Sequence, residues 1–197
     1  MNYSLIRACD IANGPGVRVS LFVSGCTHYC PGCFQPETWD FNYGKKFTDE
    51  TIWEILRLLE PNYIDGLTVL GGEPLDQRNM DDVLALLDVV RRMGAPEKTV
   101  WLYTGSTLEF LNARPYKYGR LTKSILNKVD ILVDGPFVEA KKDLRLKFCG
   151  SSNQRLIDLR KTEETGKIVL WEEVINICPG KIERTRKAIP IQRLTPL

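Results

Sequence analysis

The 197-residue sequence contains no run of about 18 apolar residues, so no membrane-spanning helix is expected. It lacks a basic start followed by a long apolar core, so no secretory leader is expected, and the expected compartment is a reducing cytoplasm. Charge of either sign is not in excess. The formal net charge is +2, which gives no field broad enough to gather nucleic acid. No internal repeat or low-complexity stretch is visible. Histidine occurs once, at His28. A disulfide framework is not expected either, because six cysteines in a reducing compartment stay as thiols or bind metal.

What is present is an alternation of strand and helix signals. "VRVSLFV" (17–23), "GLTVL" (66–70), "TVWLYTG" (99–105) and "DILVDGPF" (130–137) read as buried strands. "TDETIWEILRLLEP" reads as a helix capped by Thr48, with Asp49 and Glu50 in the first turn, an Ile52, Ile55, Leu56, Leu59 face, and Pro61 as its stop. "NMDDVLALLDVVRRMG" reads as a second helix. Asn79 is its expected cap, Gly94 its expected end, and Val83, Leu86, Leu87 and Val90 its buried stripe. "TLEFLNA" and "LTKSILNKV" are shorter helical pieces.

Such alternation predicts an α/β fold built on a mostly parallel sheet. The unusual residues then share an address. The cysteine loop, Gly71–Gly72–Glu73–Pro74, Thr104–Gly105 and Asp134–Gly135 each follow a strand. In a parallel sheet these are all carboxyl ends, and that rim is where α/β folds place their sites. About four or five β/α units cannot close an eight-stranded barrel, so an open, partial β/α barrel with a wide mouth is expected.

"SGCTHYCPGC" (24–33) carries Cys26, Cys30 and Cys33 around the lone histidine. A structural zinc site takes four ligands, usually as two pairs on separate loops, and no second pair exists here. His28 as a fourth ligand would ask one short loop to present four groups tetrahedrally. An iron–sulfur cubane normally takes four thiolates. Three would leave one iron open to an outside molecule, which suits chemistry rather than electron carriage. The scattered Cys9, Cys149 and Cys178 read as small buried hydrophobes.

Cys26-x3-Cys30-x2-Cys33 resembles the cluster motif of the radical S-adenosylmethionine (SAM) superfamily. Its flanks, "GPGVRVSLFVSGC" and "THYCPGCF", resemble the signature of the glycyl-radical-enzyme activases, with Gly14, Gly16, Arg18, Phe22 and Gly25 in place. "NGPG", "ETW", "LGGEPL", "YTG", "LVDGPF" and "GSSNQ" follow in the order found in activases of the anaerobic ribonucleoside-triphosphate reductases. The likeness spans about residues 1–157. It implies an activase domain over 1–159 and leaves 160–197 as a C-terminal extension, rich in basic residues and proline-punctuated.

The resemblance implies that Cys26, Cys30 and Cys33 hold a 4Fe–4S cluster whose open fourth iron takes SAM. It implies reductive cleavage of SAM to methionine and a 5′-deoxyadenosyl radical, which takes a hydrogen atom from a glycine of the reductase. Gly71, Gly72 and Glu73 would meet the amino group of SAM, and Gly32, Cys33 and Phe34 its adenine. Phe34 would supply apolar surface there or else belong to the core. No acid–base side chain is implied as catalytic beyond the cluster ligands. The implied partners are the reductase and an electron donor, reduced flavodoxin or ferredoxin; nucleic acid and membranes are not expected. Thr104 and Asp134 could reach the cofactor or serve as strand-end turn residues, and "GSSNQ" could cap a helix running into "RLIDL" or face the partner. Rival readings are an activase of another glycyl radical enzyme, a small-molecule radical SAM enzyme of the carboxy-deazaguanine synthase type, and a non-enzymatic zinc or iron–sulfur module.

Overall fold

A computed structural model describes residues 1–92 and 98–172. Gly94, Cys178 and most of the expected extension lie outside the described residues. Seven strands form one sheet: β1 (Asn2–Asp10), β2 (Arg18–Val23), β3 (Lys45–Lys46), β4 (Gly66–Gly71), β5 (Thr99–Tyr103), β6 (Ile131–Asp134) and β7 (Arg155–Asp158). Their spatial order is β3-β1-β2-β4-β5-β6-β7. The four central strands β2, β4, β5 and β6 run parallel, while β1, β3 and β7 add antiparallel at the two sides. The expected α/β class is thus observed.

Between the strands lie α1 (Asp49–Leu59), α2 (Met80–Arg92), α3 (Leu108–Asn112) and α4 (Tyr116–Leu126), and α5 (Leu159–Thr165) follows β7. Thr48 begins α1 as expected, its main-chain N–H bonded to Thr51 Oγ1 at 3.2 Å. Asn79 precedes α2, but its side chain does not cap the helix. It donates instead to the carbonyls of Ser24 (3.0 Å), Gly25 (3.3 Å) and Glu73 (3.0 Å), tying the cysteine loop to the turn after β4.

Alternation along the central strands separates two faces. Val19, Leu21 and Val23 of β2, Leu67 and Val69 of β4, and Val100 and Leu102 of β5 join one core with the apolar stripes of α1 to α4. Residues between them face the other way. There Trp101, Ile131 and Val133 pack with Phe148 and Trp171, and Phe22, Leu70 and Tyr103 line a cavity. β2 and β4 are therefore buried on both faces and, apart from Arg18, Ser20 and Thr68, read as apolar runs, the mark of an interior parallel strand.

One element, β1, follows no pattern singled out in the sequence, and another differs from its expectation. β1 has no clean period of two, because register shifts between Tyr3 and Leu5 and between Arg7 and Asp10 interrupt its pairing with β2. "RLID" is strand β7 rather than helix. Four residues are too few for periodicity to tell the two apart, and Leu132 pairing with Ile157 decides it. The helix begins only after Asp158, whose carboxylate accepts from Lys161 N–H at 3.0 Å. Beyond α5 the chain returns to the sheet, Leu170 bridging to Ile157 and Trp171 stacking edge-on against Trp101.

Candidate functional site

The carboxyl ends of β2, β4, β5 and β6 lie side by side, with Val23 opposite Gly71 and Tyr103 opposite Val133. The turns that follow them form one rim, as expected. The loop after β2 is held at its stem: Gly25 N–H bonds Thr38 O (2.7 Å) and Cys26 N–H bonds Trp39 O (3.2 Å). Gly25 has φ +94°, and a Cβ there would lie 2.0 Å from the Phe41 ring.

Cys26, Cys30 and Cys33 line one cavity of about 130 Å³, together with His28, Gly71, Gly72 and Gly105. Among the described residues, no three His, Cys, Asp or Glu side chains converge tightly enough to hold a single metal ion. A cubane asks for less convergence, because each cysteine binds a different corner iron. The donor set, three thiols on one wall, fits that group. Burial pushes the Cys26 thiol up to about 11 and raises that of Cys30 as well. Iron would have to displace those protons, since a coordinating thiol is deprotonated.

Gly71 and Gly72 are needed for close approach. Gly71 has φ +108°, and a Cβ there would lie 2.7 Å from Val23 O. At Gly72 a Cβ would lie 2.6 Å from Gly25 O. The two glycines therefore let the turn after β4 press against the stem of the cysteine loop, while their backbone faces the cavity. Glu73 lies behind them and is 2% exposed. Its Oε1 accepts from Leu75 N–H (2.8 Å). Its Oε2 accepts from His28 Nε2 (2.8 Å), Gly105 N–H (2.8 Å) and Thr104 Oγ1 (3.1 Å).

A second cavity, of about 490 Å³, adjoins the first, and Cys33, Gly71, Tyr103, Phe137 and Gln154 line both. That volume falls in the range of about 300–1,000 Å³ usual for small-molecule pockets. Phe34 stands on its lip, 57% exposed, and so is not a core residue. Its ring packs against Phe137 at 5.0 Å, with Lys142 Nζ 4.9 Å from its centre. Gly32 has φ +69°, and a Cβ there would meet the Glu139 carboxyl at 2.7 Å.

Several rim residues serve the fold. Thr104 is turned onto Glu73. Asp134 accepts from Leu108 N–H (2.8 Å) and from Arg155. "GSSNQ" caps no helix: Gln154 Oε1 accepts from the N–H groups of Gly150 and Ser151, and Nε2 donates to Gly135 O. Cys9 is exposed and Cys149 half-buried on the larger cavity, so neither is the buried hydrophobe expected.

Sequence reasoning missed Tyr103. Its hydroxyl is buried with no hydrogen-bond partner, and burial pushes its pKa above the usual range, so it stays a donor. "YTG" marked the place, but period two alone could not say that the ring would face the cavity.

Comparison with known proteins agrees with this geometry. A family model described as a 4Fe-4S single cluster domain matches residues 12–157. Anaerobic ribonucleoside-triphosphate reductase-activating proteins are similar along most of the chain. That of Salmonella typhi is 42% identical over 164 residues, covering 81% of this chain and 100% of the relative. That of Escherichia coli K12 is 40% identical over 162 residues, again 81% and 100%. That of Enterobacteria phage T4 is 40% identical over 157 residues, covering 79% and 93%. With three thiols on one cavity at the parallel rim and this likeness over four-fifths of its length, the chain belongs to the family of anaerobic ribonucleoside-triphosphate reductase-activating proteins.

Proposed function

We propose that this protein activates an anaerobic ribonucleoside-triphosphate reductase, generating a glycyl radical on it by radical SAM chemistry. The observation that carries the reading is the wall of three thiols, with no fourth cysteine on it among the described residues, opening into a cavity of small-molecule size. The names of the relatives support the choice of target. The fold proposed is the partial β/α barrel of radical SAM proteins, supported by α1 to α4 packing on one face of the sheet and the cavities opening on the other.

Cys26, Cys30 and Cys33 would hold a 4Fe–4S cluster, leaving the fourth iron to SAM. When bound, the cluster would supply the electron for reductive cleavage of SAM, the chemistry by which a glycine of the reductase would lose a hydrogen atom. The remaining work falls to this chain. Gly71 and Gly72 present main chain to the amino end of the cofactor, with the Glu73 charge behind them. Gly32, Cys33 and Phe34 border the adenine, Phe34 supplying an aromatic wall. The apolar inner face, Phe22 and Leu70, keeps water from the reacting centre. The proposed partners are the reductase and reduced flavodoxin or ferredoxin, with neither nucleic acid nor a membrane surface. Among the described residues no helix is long and apolar enough to cross a membrane, and a cytoplasmic place is proposed.

Anaerobic reconstitution tests this. The expected result is about four irons and four sulfides per chain, lost in Cys30→Ala. The reduced cluster should give an EPR signal that changes shape when SAM is added, and a glycyl radical should appear on the reductase. A cluster indifferent to SAM would overturn the reading, as would zinc without sulfide.

A further inference from the structure

We infer that His28 is a positioning residue, a strut that fixes the ligand-bearing part of the cysteine loop against the turns that seat SAM. This rests on the proposed radical SAM reading and deepens it. Glu73 is the anchor of the strut. Its buried carboxylate collects four donors from three different strand ends: His28 from the loop after β2, Leu75 from the turn after β4, and Thr104 and Gly105 from the turn after β5. His28 supplies the only one of these bonds that reaches the cysteine loop, and it lies between Cys26 and Cys30.

Two contacts fix the ring, although its side chain is 28% exposed. Glu73 Oε2 holds Nε2 at 2.8 Å. Gly105, whose own N–H bonds the same oxygen, leaves room for the imidazole, since a Cβ there would lie 2.6 Å from His28 Cδ2 and 2.8 Å from Nε2. Gly105 has no need of glycine for its own backbone, because its φ is not in the left-handed region. The absent side chain is explained by the ring it accommodates.

The loop stem is anchored without His28. Asn79 holds the Ser24 and Gly25 carbonyls, and Glu73 N–H bonds Gly25 O at 2.8 Å. Removing the imidazole therefore leaves the stem in place but loosens the segment carrying Cys30 and Cys33, which keeps only lighter holds such as Thr27 Oγ1 on Asp76 (3.2 Å) and the Tyr29–Trp39 ring contact (5.2 Å). It also leaves Oε2 of a buried carboxylate short of a donor, which disturbs the turn that Gly71 and Gly72 belong to. A cluster assembled on the loosened segment would sit poorly against the SAM seat, much as outer partners of metal ligands orient them.

The experiment uses the full chain, reconstituted anaerobically, and reads iron and sulfide content, the SAM dissociation constant by equilibrium dialysis, and the EPR change on SAM addition. His28→Ala should load cluster like the wild type yet bind SAM about tenfold or more weakly, with a diminished EPR change. His28→Gln, whose Nε2 can donate to the same carboxylate oxygen, should return to within about threefold of wild type. Gly105→Ala should weaken SAM binding alone but add nothing in the His28→Ala background, since the clash it creates is then gone. A His28→Ala protein with the wild-type SAM response overturns the inference. So does loss of the cluster in His28→Ala that Gln does not restore, which would make His28 a ligand or a folding residue. If the wild-type cluster itself ignores SAM, it is the radical SAM reading that fails.

Discussion

Arg18 and Glu73 are both buried charges on the central strands and their turns, one at each end of the sheet. Arg18 is 0% exposed at the amino end of β2, and its partners are neutral oxygens. It donates to Thr68 Oγ1 (2.7 Å), Thr99 Oγ1 (2.8 Å), Leu67 O (2.9 Å) and Thr99 O (2.9 Å), and its guanidinium faces the Trp101 ring at 5.6 Å. Burial pulls its pKa down to about 10, so it stays charged at neutral pH. Glu73, at the carboxyl end, gathers its donors from turns that line the two cavities. The first charge clamps strand bases together and lines neither of the two cavities of the site. The second braces the walls of the site. One end of the sheet holds the fold, and the other holds the chemistry.

The largest effect should come from breaking the clamp. Arg18→Met leaves at least two interior carbonyls short of a donor, and should cost about 3 kcal/mol in urea unfolding. SAM affinity of the folded fraction should stay unchanged; a large loss of affinity would erase the contrast between the two ends. Glu73→Gln keeps the shape but places an amide N–H₂ where one donor points, so it should cost about 1–3 kcal/mol. Here SAM binding should suffer too, and a pure stability effect would make Glu73 a second clamp.

Tyr103→Phe sharpens the comparison from the opposite side. Its hydroxyl has no protein partner, so the variant should be as stable as the wild type, or more stable by up to about 1 kcal/mol. It should nevertheless bind SAM several-fold more weakly, as expected of a donor aimed at a ligand. Unfolding curves and equilibrium dialysis on one preparation separate the two readouts.

The smallest effect belongs to an exposed charge set on the same rim. Bonds from Arg155 hold the Glu109 carboxyl down at about 2, against an ordinary 4.5. A carboxylate lowered by folding stabilises above its ordinary value, and that contribution disappears as pH falls from about 4.5 through about 2. Glu109→Gln should remove this part of the acid limb. Glu109 is largely exposed, so the difference should be under about 1 kcal/mol and shrink in added salt. Urea titrations between pH 5 and 2.5 would register it.

Much of this was legible in the sequence. The central strands β2, β4 and β6 are mostly apolar, without alternation, because both faces of an interior parallel strand are buried. Thr48, the stripes of α1 and α2, and the four turns that meet at one rim follow from local patterns of the same kind. β1 was not legible, because its bulges break the period of two, and β7 was too short to be told from a helix. In the site, the spacing of Cys26, Cys30 and Cys33 announced itself, whereas the fate of each polar rim residue did not.

The sequence alone determined the order of the four central strands and of the helices between them, the three-thiol loop and the glycine-rich turns, since each depends on residues within a few positions of one another. Only the tertiary structure decided that His28, Thr104 and Gly105 gather on the buried Glu73 carboxylate, that Arg18 is satisfied by neutral oxygens, and that Tyr103 buries its hydroxyl without a partner. Those outcomes depend on which strand lies beside which. Hydrogen-bond partners 31 to 81 positions apart in the chain are chosen by sheet pairing, and no local period records that choice.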